Sequence, residues 1–223
     1  MITALTTIAD LFLPLVCAGC GLDDTGLCLR CSAVFDGPFP VDRPGTEHGP
    51  PVFALADYGG TARTVLLSFK ERGRRDLAGP LGRMMGAVLP TLRGVAPARD
   101  GTWWLVPAPS RSRAARNRGG SHMLALARRM AAALASQDQP AAVAPALRLS
   151  RGVRDSAGLN AADRVANVHG RVWIHPAGVP PPGTPVVLLD DVITTGATAA
   201  ACTEALRTAG LEVSAVLCLT ATG

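Results

Sequence analysis

The sequence predicts an α/β fold, with a mainly parallel sheet flanked by helices and a small N-terminal module built on four cysteines. Three observations predict it. The apolar run Val186 to Leu189 leads through a turn into a helical stretch, Ala197 to Thr208, and on to a second apolar run, Val213 to Leu219. That order is strand, loop, helix, strand, the unit of a parallel sheet. Trp103 to Val106 is a further branched and aromatic run, bounded by Gly101 and Pro107, as a buried strand ending in a turn would be. Cys17, Cys20, Cys28 and Cys31 form two CxxC pairs near the start of the chain.

Bulk properties narrow the class. With 223 residues, 48% of them hydrophobic, the chain suffices for one full core and a small appended module. Mean hydropathy is +0.25, but alanine supplies much of it and no apolar run approaches the ~18 residues of a membrane span. Residues 1–16 are mildly apolar without a basic flank, so neither export nor a transmembrane segment is expected and a cytoplasmic location is. The net charge of +5 permits an anionic partner without choosing between nucleic acid and phosphate esters. Among the 22 basic residues Lys70 is the single lysine.

Along the chain, residues 1–35 are expected to form the cysteine module, and 36–51, rich in proline, glycine and charge, a linker. The main domain then occupies 52–223. Pro51 to Asp57 reads as a short strand, and Thr61 to Glu71 places Val65, Leu66 and Phe69 at helical spacing. Leu77 to Leu92 reads as another helix, with Gly79, Pro80 and Gly82 obscuring its first turn. Ser121 to Ser136 carries Leu124, Ala127, Met130 and Leu134 on one face, the pattern of an amphipathic helix, closed by Pro140 and Pro145. A helix over Ala161 to Val168 and a strand at Val172 to Ile174 precede the proline cluster at Pro180, and Gly210 caps the last helix. Cys202 and Cys218 lie singly in apolar stretches and read as core filler.

Chemistry concentrates in Val186 to Thr198, which reads VVLLDDVITTGAT. Asp190 and Asp191 leave the C-terminal end of a buried strand, where ligands of open α/β sheets sit, and carboxylates there accept hydrogen bonds from vicinal hydroxyls. Thr194, Thr195, Gly196, Ala197 and Thr198 follow with hydroxyls and successive backbone N–H groups at a helix start, an arrangement that binds a phosphate monoester. A sugar phosphate fits both halves. The plain alternative is a tight turn whose threonines cap the helix and whose acids face solvent. Neither GxxxxGK(S/T) nor GxGxxG is present, which argues against the P-loop and dinucleotide folds.

This stretch resembles the phosphoribosyl pyrophosphate (PRPP) motif of type I phosphoribosyltransferases. The resemblance extends across nearly the whole chain to the competence protein F (ComF, GntX-like) family, through the cysteine pairs, Tyr58 to Gly60, Phe69 to Gly73 (FKERG), Val106 to Ser110 (VPAPS), Arg118 with Gly119, Arg164, Asn167 and Gly170. It implies a type I phosphoribosyltransferase-like fold that binds PRPP or a related sugar phosphate. In it Asp190 and Asp191 would hold ribose hydroxyls, in the place of the catalytic acids, and Thr194 to Thr198 the 5′-phosphate. Pro107, Ala108, Pro109 and Ser110 would face pyrophosphate, and Mg²⁺ would be held largely by the ligand's own oxygens. The reaction implied is displacement at the sugar C1, with pyrophosphate leaving and an unknown acceptor entering. A second implication is a non-enzymatic role in competence, with single-stranded DNA or competence proteins as partners. The chain departs from the family pattern at Arg118 to His122, which reads RGGSH where relatives commonly show RGFNQ, and near Ala157, where a glutamine is usual. Side chains that would orient a substrate are missing there.

Four thiolates in two CxxC pairs suit tetrahedral zinc in a closed structural site, with local disulfides or free thiols as the rivals. Lys70 reads as an anion contact on a compact ammonium, or as a solvated helix end, and Arg118 as a further anion contact. Arg111, Arg113 and Arg116 share its basic loop, which would face pyrophosphate, a nucleic-acid backbone or water. His122 reads as a surface or capping residue rather than a base. His169 and His175 show no ligand spacing, and Trp103 and Trp104 are expected to pack in the sheet.

Overall fold

A computed structural model describes residues 15–109, 121–150 and 172–223, and within them the α/β architecture is as the sequence predicts. The strands are β1 (Phe39–Pro40), β2 (Val52–Asp57), β3 (Trp103–Pro107), β4 (Ala141–Val143), β5 (Leu147–Leu149), β6 (Val172–Ile174), β7 (Pro185–Ile193) and β8 (Glu212–Ala221). The helices are α1 (Leu29–Ser32), α2 (Gly60–Lys70), α3 (Ala78–Val88), α4 (His122–Ala135) and α5 (Ala197–Thr208). Six strands form one sheet in the order β1-β2-β8-β7-β3-β4. Every pairing in it is parallel except that of β1 with β2. β5 and β6 form a separate antiparallel pair.

Side-chain alternation, with a period of two along each strand, divides the interior between the two faces of this sheet. Leu55, Leu105, Val187, Leu189, Leu217 and Leu219 point into one core, which α2, α3 and α4 cover. Ala54, Val106, Val186, Leu188, Val216 and Cys218 point into the other, covered by α5 and by the β5–β6 pair. Because both faces are covered, the central strands are continuous apolar runs instead of alternating ones. β7 lies at the middle, between β3 and β8. The connection from β3 to β4 runs through α4 on one face, and that from β7 to β8 through α5 on the other. Successive connections that leave to opposite sides open a crevice beyond the carboxyl ends of β3 and β7, the place where open α/β sheets bind ligands.

Most expected elements are present with shifted ends. The Leu77 to Leu92 helix is a 3₁₀ turn (Arg75–Leu77), then α3, then a second 3₁₀ turn (Leu89–Thr91). Gly82 lies within α3 because a Cβ there would meet the backbone nitrogen of Met130 in α4 at 2.8 Å; the glycine permits close helix contact rather than breaking the helix. β7 continues through both aspartates to Ile193, four residues past the expected strand end at Leu189. Gly210 follows the C-cap Ala209 of α5 at φ +79°, the left-handed position that favours glycine. Trp103 is buried and Cys202 and Cys218 are fully so; burial pushes both thiols well above their usual pKa. The expected helix over Ala161 to Val168 lies outside the described residues.

The stretch 36–51, expected as a linker, is packed against the main sheet. Phe39 and Pro40 pair with β2, Val41 is buried, and the Gly45 N–H donates to the Thr195 carbonyl (3.1 Å).

Candidate functional site

The two aspartates of β7 face opposite ways, and strand alternation is the reason. Asp191 shares the parity of Val187 and Leu189 and so points to the face covered by α2 and α4. Asp190 shares the parity of Val186 and Leu188 and belongs to the α5 face.

Asp191 is 5% exposed and its Oδ2 is met twice. Lys70 Nζ, from the last turn of α2, lies 2.8 Å away, and His122 Nε2, from the first turn of α4, also lies at 2.8 Å. Burial alone would raise the Asp191 pKa, but the His122 hydrogen bond and the Lys70 charge outweigh it and hold the carboxyl well below the usual carboxylate range. Burial acts to lower the Lys70 pKa, and Asp191 reverses that and raises it. The Lys70 side chain keeps 42% of its surface exposed, so its ammonium still borders solvent. The His122 ring stands edge-on to Phe69, with centroids 5.4 Å apart.

Asp190 is half-buried. The Asp191 backbone N–H donates to Asp190 Oδ1 (2.8 Å), and Thr220 Oγ1 of β8 donates to the Asp191 carbonyl (3.3 Å).

Beyond Ile193 the chain turns through Thr194 and Thr195 to Gly196, the N-cap of α5 at φ +82°. Only glycine holds that conformation without strain, and there is a second reason: a Cβ on Gly196 would meet Thr46 Cγ2 at 2.8 Å. The segment Arg43 to Thr46 straps this turn from outside. A Cβ on Gly45 would stand 2.6 Å from the Thr195 carbonyl oxygen, and the Arg43 guanidinium donates to the Thr222 carbonyl. The other side of the crevice is the end of β3, where the Ala108 N–H donates to the Leu189 carbonyl (2.8 Å). Pro107 and Ala108 therefore sit one residue away from Asp190 across the sheet. A cavity of about 630 Å³ between residues 44–50 and α5 is not part of this crevice, since none of Asp190 to Thr198 lines it.

The structure thus brings Lys70, Pro107, Ala108, Asp190, Asp191 and the Thr194 to Thr198 turn to one end of the sheet. Ser110, Arg118 and the rest of their basic loop lie outside the described residues, as do Arg164 and Asn167. His122, expected at the surface or as a cap, is instead half-buried against Asp191, while Ser121 is the α4 cap, its hydroxyl accepting from the Leu124 N–H (3.4 Å).

The four cysteines form a second cluster. Their sulfurs all lie within 4.8 Å of one another, Cys20 and Cys28 at 3.7 Å. Tetrahedral zinc at a Zn–S distance of ~2.3 Å sets its sulfurs roughly 3.8 Å apart, so the donor set and its spacing fit that ion. No disulfide links them. Cys17, where burial is outweighed by backbone N–H donors, has a pKa lowered to about 6, and Cys31, buried beside the other thiols, is raised to about 12. The module docks along α2: a Cβ on Gly19 would meet Thr61 Cγ2 at 2.9 Å, and Arg74 donates to the Gly26 carbonyl and to Asp76. Ala18, Leu27 and Val34 pack on the α2–α4 core.

No protein-family model and no curated protein sequence matches the chain. Among solved structures it is similar to adenine phosphoribosyltransferase from Thermoanaerobacter pseudethanolicus, at 16% identity over 84% of this chain and 85% of that one, with a TM-score of 0.37. Adenine phosphoribosyltransferase from Rhodothermus marinus aligns at 17% identity over 86% and 85%, TM-score 0.36. A hypoxanthine phosphoribosyltransferase from Staphylococcus aureus aligns at 16% over 67% of this chain, TM-score 0.33, and the match spans 62% of that chain, less than two thirds of its length. Scores this low decide neither fold nor function.

Proposed function

We propose that the crevice at the ends of β3 and β7 binds the 5-phosphoribosyl group of PRPP or a related sugar phosphate, and that the chain is a ComF-like member of the type I phosphoribosyltransferases. The observation that carries this is the run from Asp190 to Thr198. A carboxylate at the end of a central parallel strand is followed, on the same face, by a glycine-capped helix start. That order sets a hydroxyl acceptor beside a phosphate cradle. Pro107 to Pro109, across the crevice, begin the loop that would face pyrophosphate, which the sequence continues to Ser110. Mg²⁺ would arrive with the ligand, held mostly by its phosphate oxygens as this hard ion prefers, and would offset charge on the leaving pyrophosphate. Residues of the chain would act by positioning the sugar and excluding water.

A second reading keeps the binding and drops the turnover, with a role in the uptake of single-stranded DNA. One observation favours it. At the position where family members carry a glutamine, this chain has His122, and His122 is engaged by Asp191 rather than turned to a substrate. Titration calorimetry with PRPP and Mg²⁺, followed by a pyrophosphate-release assay over a panel of bases, separates the two. Binding with release supports a transferase; binding without release supports the second reading; no binding contradicts both, leaving single-stranded DNA as the ligand to try.

A further inference from the structure

Asp190 and Asp191 are neighbours in a motif that treats them as a pair, yet their surroundings differ. We propose that they divide the work: Asp190 alone takes the ribose hydroxyls, and Asp191 is a positioning residue, clasped by Lys70 and His122, that holds Asp190 in place. This rests on the sugar-phosphate reading above and deepens it.

Three observations on different elements support the division. Parity along β7 puts Asp190 on the face where α5 begins, the face of the phosphate turn, and Asp191 on the face covered by α2 and α4. The Asp191 carboxylate is already committed: one oxygen takes both Lys70 and His122 at 2.8 Å, and the side chain is 7% exposed. With so little of the side chain exposed, a sugar hydroxyl has poor access to the remaining oxygen, whereas Asp190 is only half-buried. Third, the Asp191 main chain does the positioning. Its N–H holds Asp190 Oδ1 and its carbonyl is tied to Thr220 on β8. The clasp fixes the peptide unit, and the peptide unit fixes the ribose-binding carboxylate. Phe69, packed edge-on against the imidazole, fixes one arm of the clasp. Neither Lys70 nor His122 touches the ligand in this account.

The test is calorimetric titration of the full chain with ribose 5-phosphate and, separately, with inorganic phosphate, for the wild type, Asp190→Asn, Lys70→Met, Lys70→Arg and His122→Gln. Asp190→Asn should weaken ribose 5-phosphate binding about tenfold or more and leave inorganic phosphate unchanged. Lys70→Met and His122→Gln should each weaken ribose 5-phosphate roughly three- to tenfold, again sparing inorganic phosphate, and Lys70→Arg should restore part of the loss. If Asp191 were itself a ribose ligand, loosening the clasp would free it. Ribose 5-phosphate affinity that is unchanged or tighter in Lys70→Met and His122→Gln therefore overturns the proposal. An equal loss of inorganic phosphate in Lys70→Met also overturns it, because Lys70 would then be a phosphate contact. Should Lys70→Met fail to fold, His122→Gln carries the same comparison. If the wild type binds no sugar phosphate, the functional reading fails, and the clasp is judged without ligand by carboxyl ¹³C NMR: the Asp190 signal should move in His122→Gln, and an unmoved signal overturns the proposal.

Discussion

Asp191 shows how a buried carboxylate stays charged: desolvation opposes its ionisation, and the two donors on Oδ2 exceed that penalty. Its pKa in the folded chain therefore lies below the unfolded value of about 4. A group with a depressed folded pKa gives stability that is fully present above its unfolded pKa and lost as pH falls below it. We expect unfolding free energy to decline as pH drops from about 5 to 2. In Asp191→Asn the neutral-pH stability should be about 2 kcal/mol lower, discounted for the solvent exposure of Lys70, and the decline shallower. Urea titrations at a series of pH values check both, and an Asn variant as stable as wild type at pH 7 would refute the ion-pair account. Gly196→Ala should cost about 1–3 kcal/mol, from a left-handed φ and from the contact with Thr46, and should weaken inorganic phosphate binding. A period of two separates the two aspartates only because the strand runs on through them, whereas the sequence placed its end at Leu189; the acids themselves were legible. The partners were not: Lys70 and His122 stand on helices distant in the chain, and only packing shows which helices cover which face. A histidine at a helix start with no ligand spacing gives no signal that a carboxylate lies opposite.

Among elements, α2 links the site to the cysteine module, for it carries Lys70 at one end and meets Gly19 of the module at the other, while Arg74, four residues beyond it, donates to Gly26. Zinc removal should accordingly unfold 17–31, which has too few apolar residues to hold together without metal, and loosen Arg74 to Leu77 while β7 and β8 stay protected. Hydrogen exchange before and after chelation checks this, with zinc content measured by plasma mass spectrometry. Loss of protection across the whole sheet would contradict the expected division into 1–35 and 52–223. The strap offers a second lever on the phosphate turn. Gly45→Val must displace the Thr195 carbonyl from its 2.6 Å approach, and inorganic phosphate affinity should fall although residue 45 lies outside the crevice; unchanged affinity would show that the strap does not set the turn. This strap was illegible in the sequence because proline, glycine and charge describe a packed loop as well as a free one. β4 and β5 were hidden for a related reason. Each is three residues long and begins within two residues of a proline, too short for a period to show.

Across the whole molecule, the sheet order explains why the chemistry collects where it does. β7 and β3 are neighbours, their crossovers leave on opposite faces, and the crevice between them receives the Asp190 to Thr198 run from one strand and Pro107 and Ala108 from the other. The α/β class and the strand bearing the acids were legible because a parallel strand covered on both faces is an apolar run, and a βαβ unit has a fixed order of run, turn, helix and run. The strand order was not, since it depends on which runs pair, and length and composition alone leave that open. The most direct test of the central claim is titration calorimetry of the wild type and of Asp190→Asn with PRPP in the presence of Mg²⁺. The account predicts saturable binding to the wild type and affinity at least about tenfold weaker in Asp190→Asn. Absence of binding to the wild type, or equal affinity in the two proteins, would contradict it.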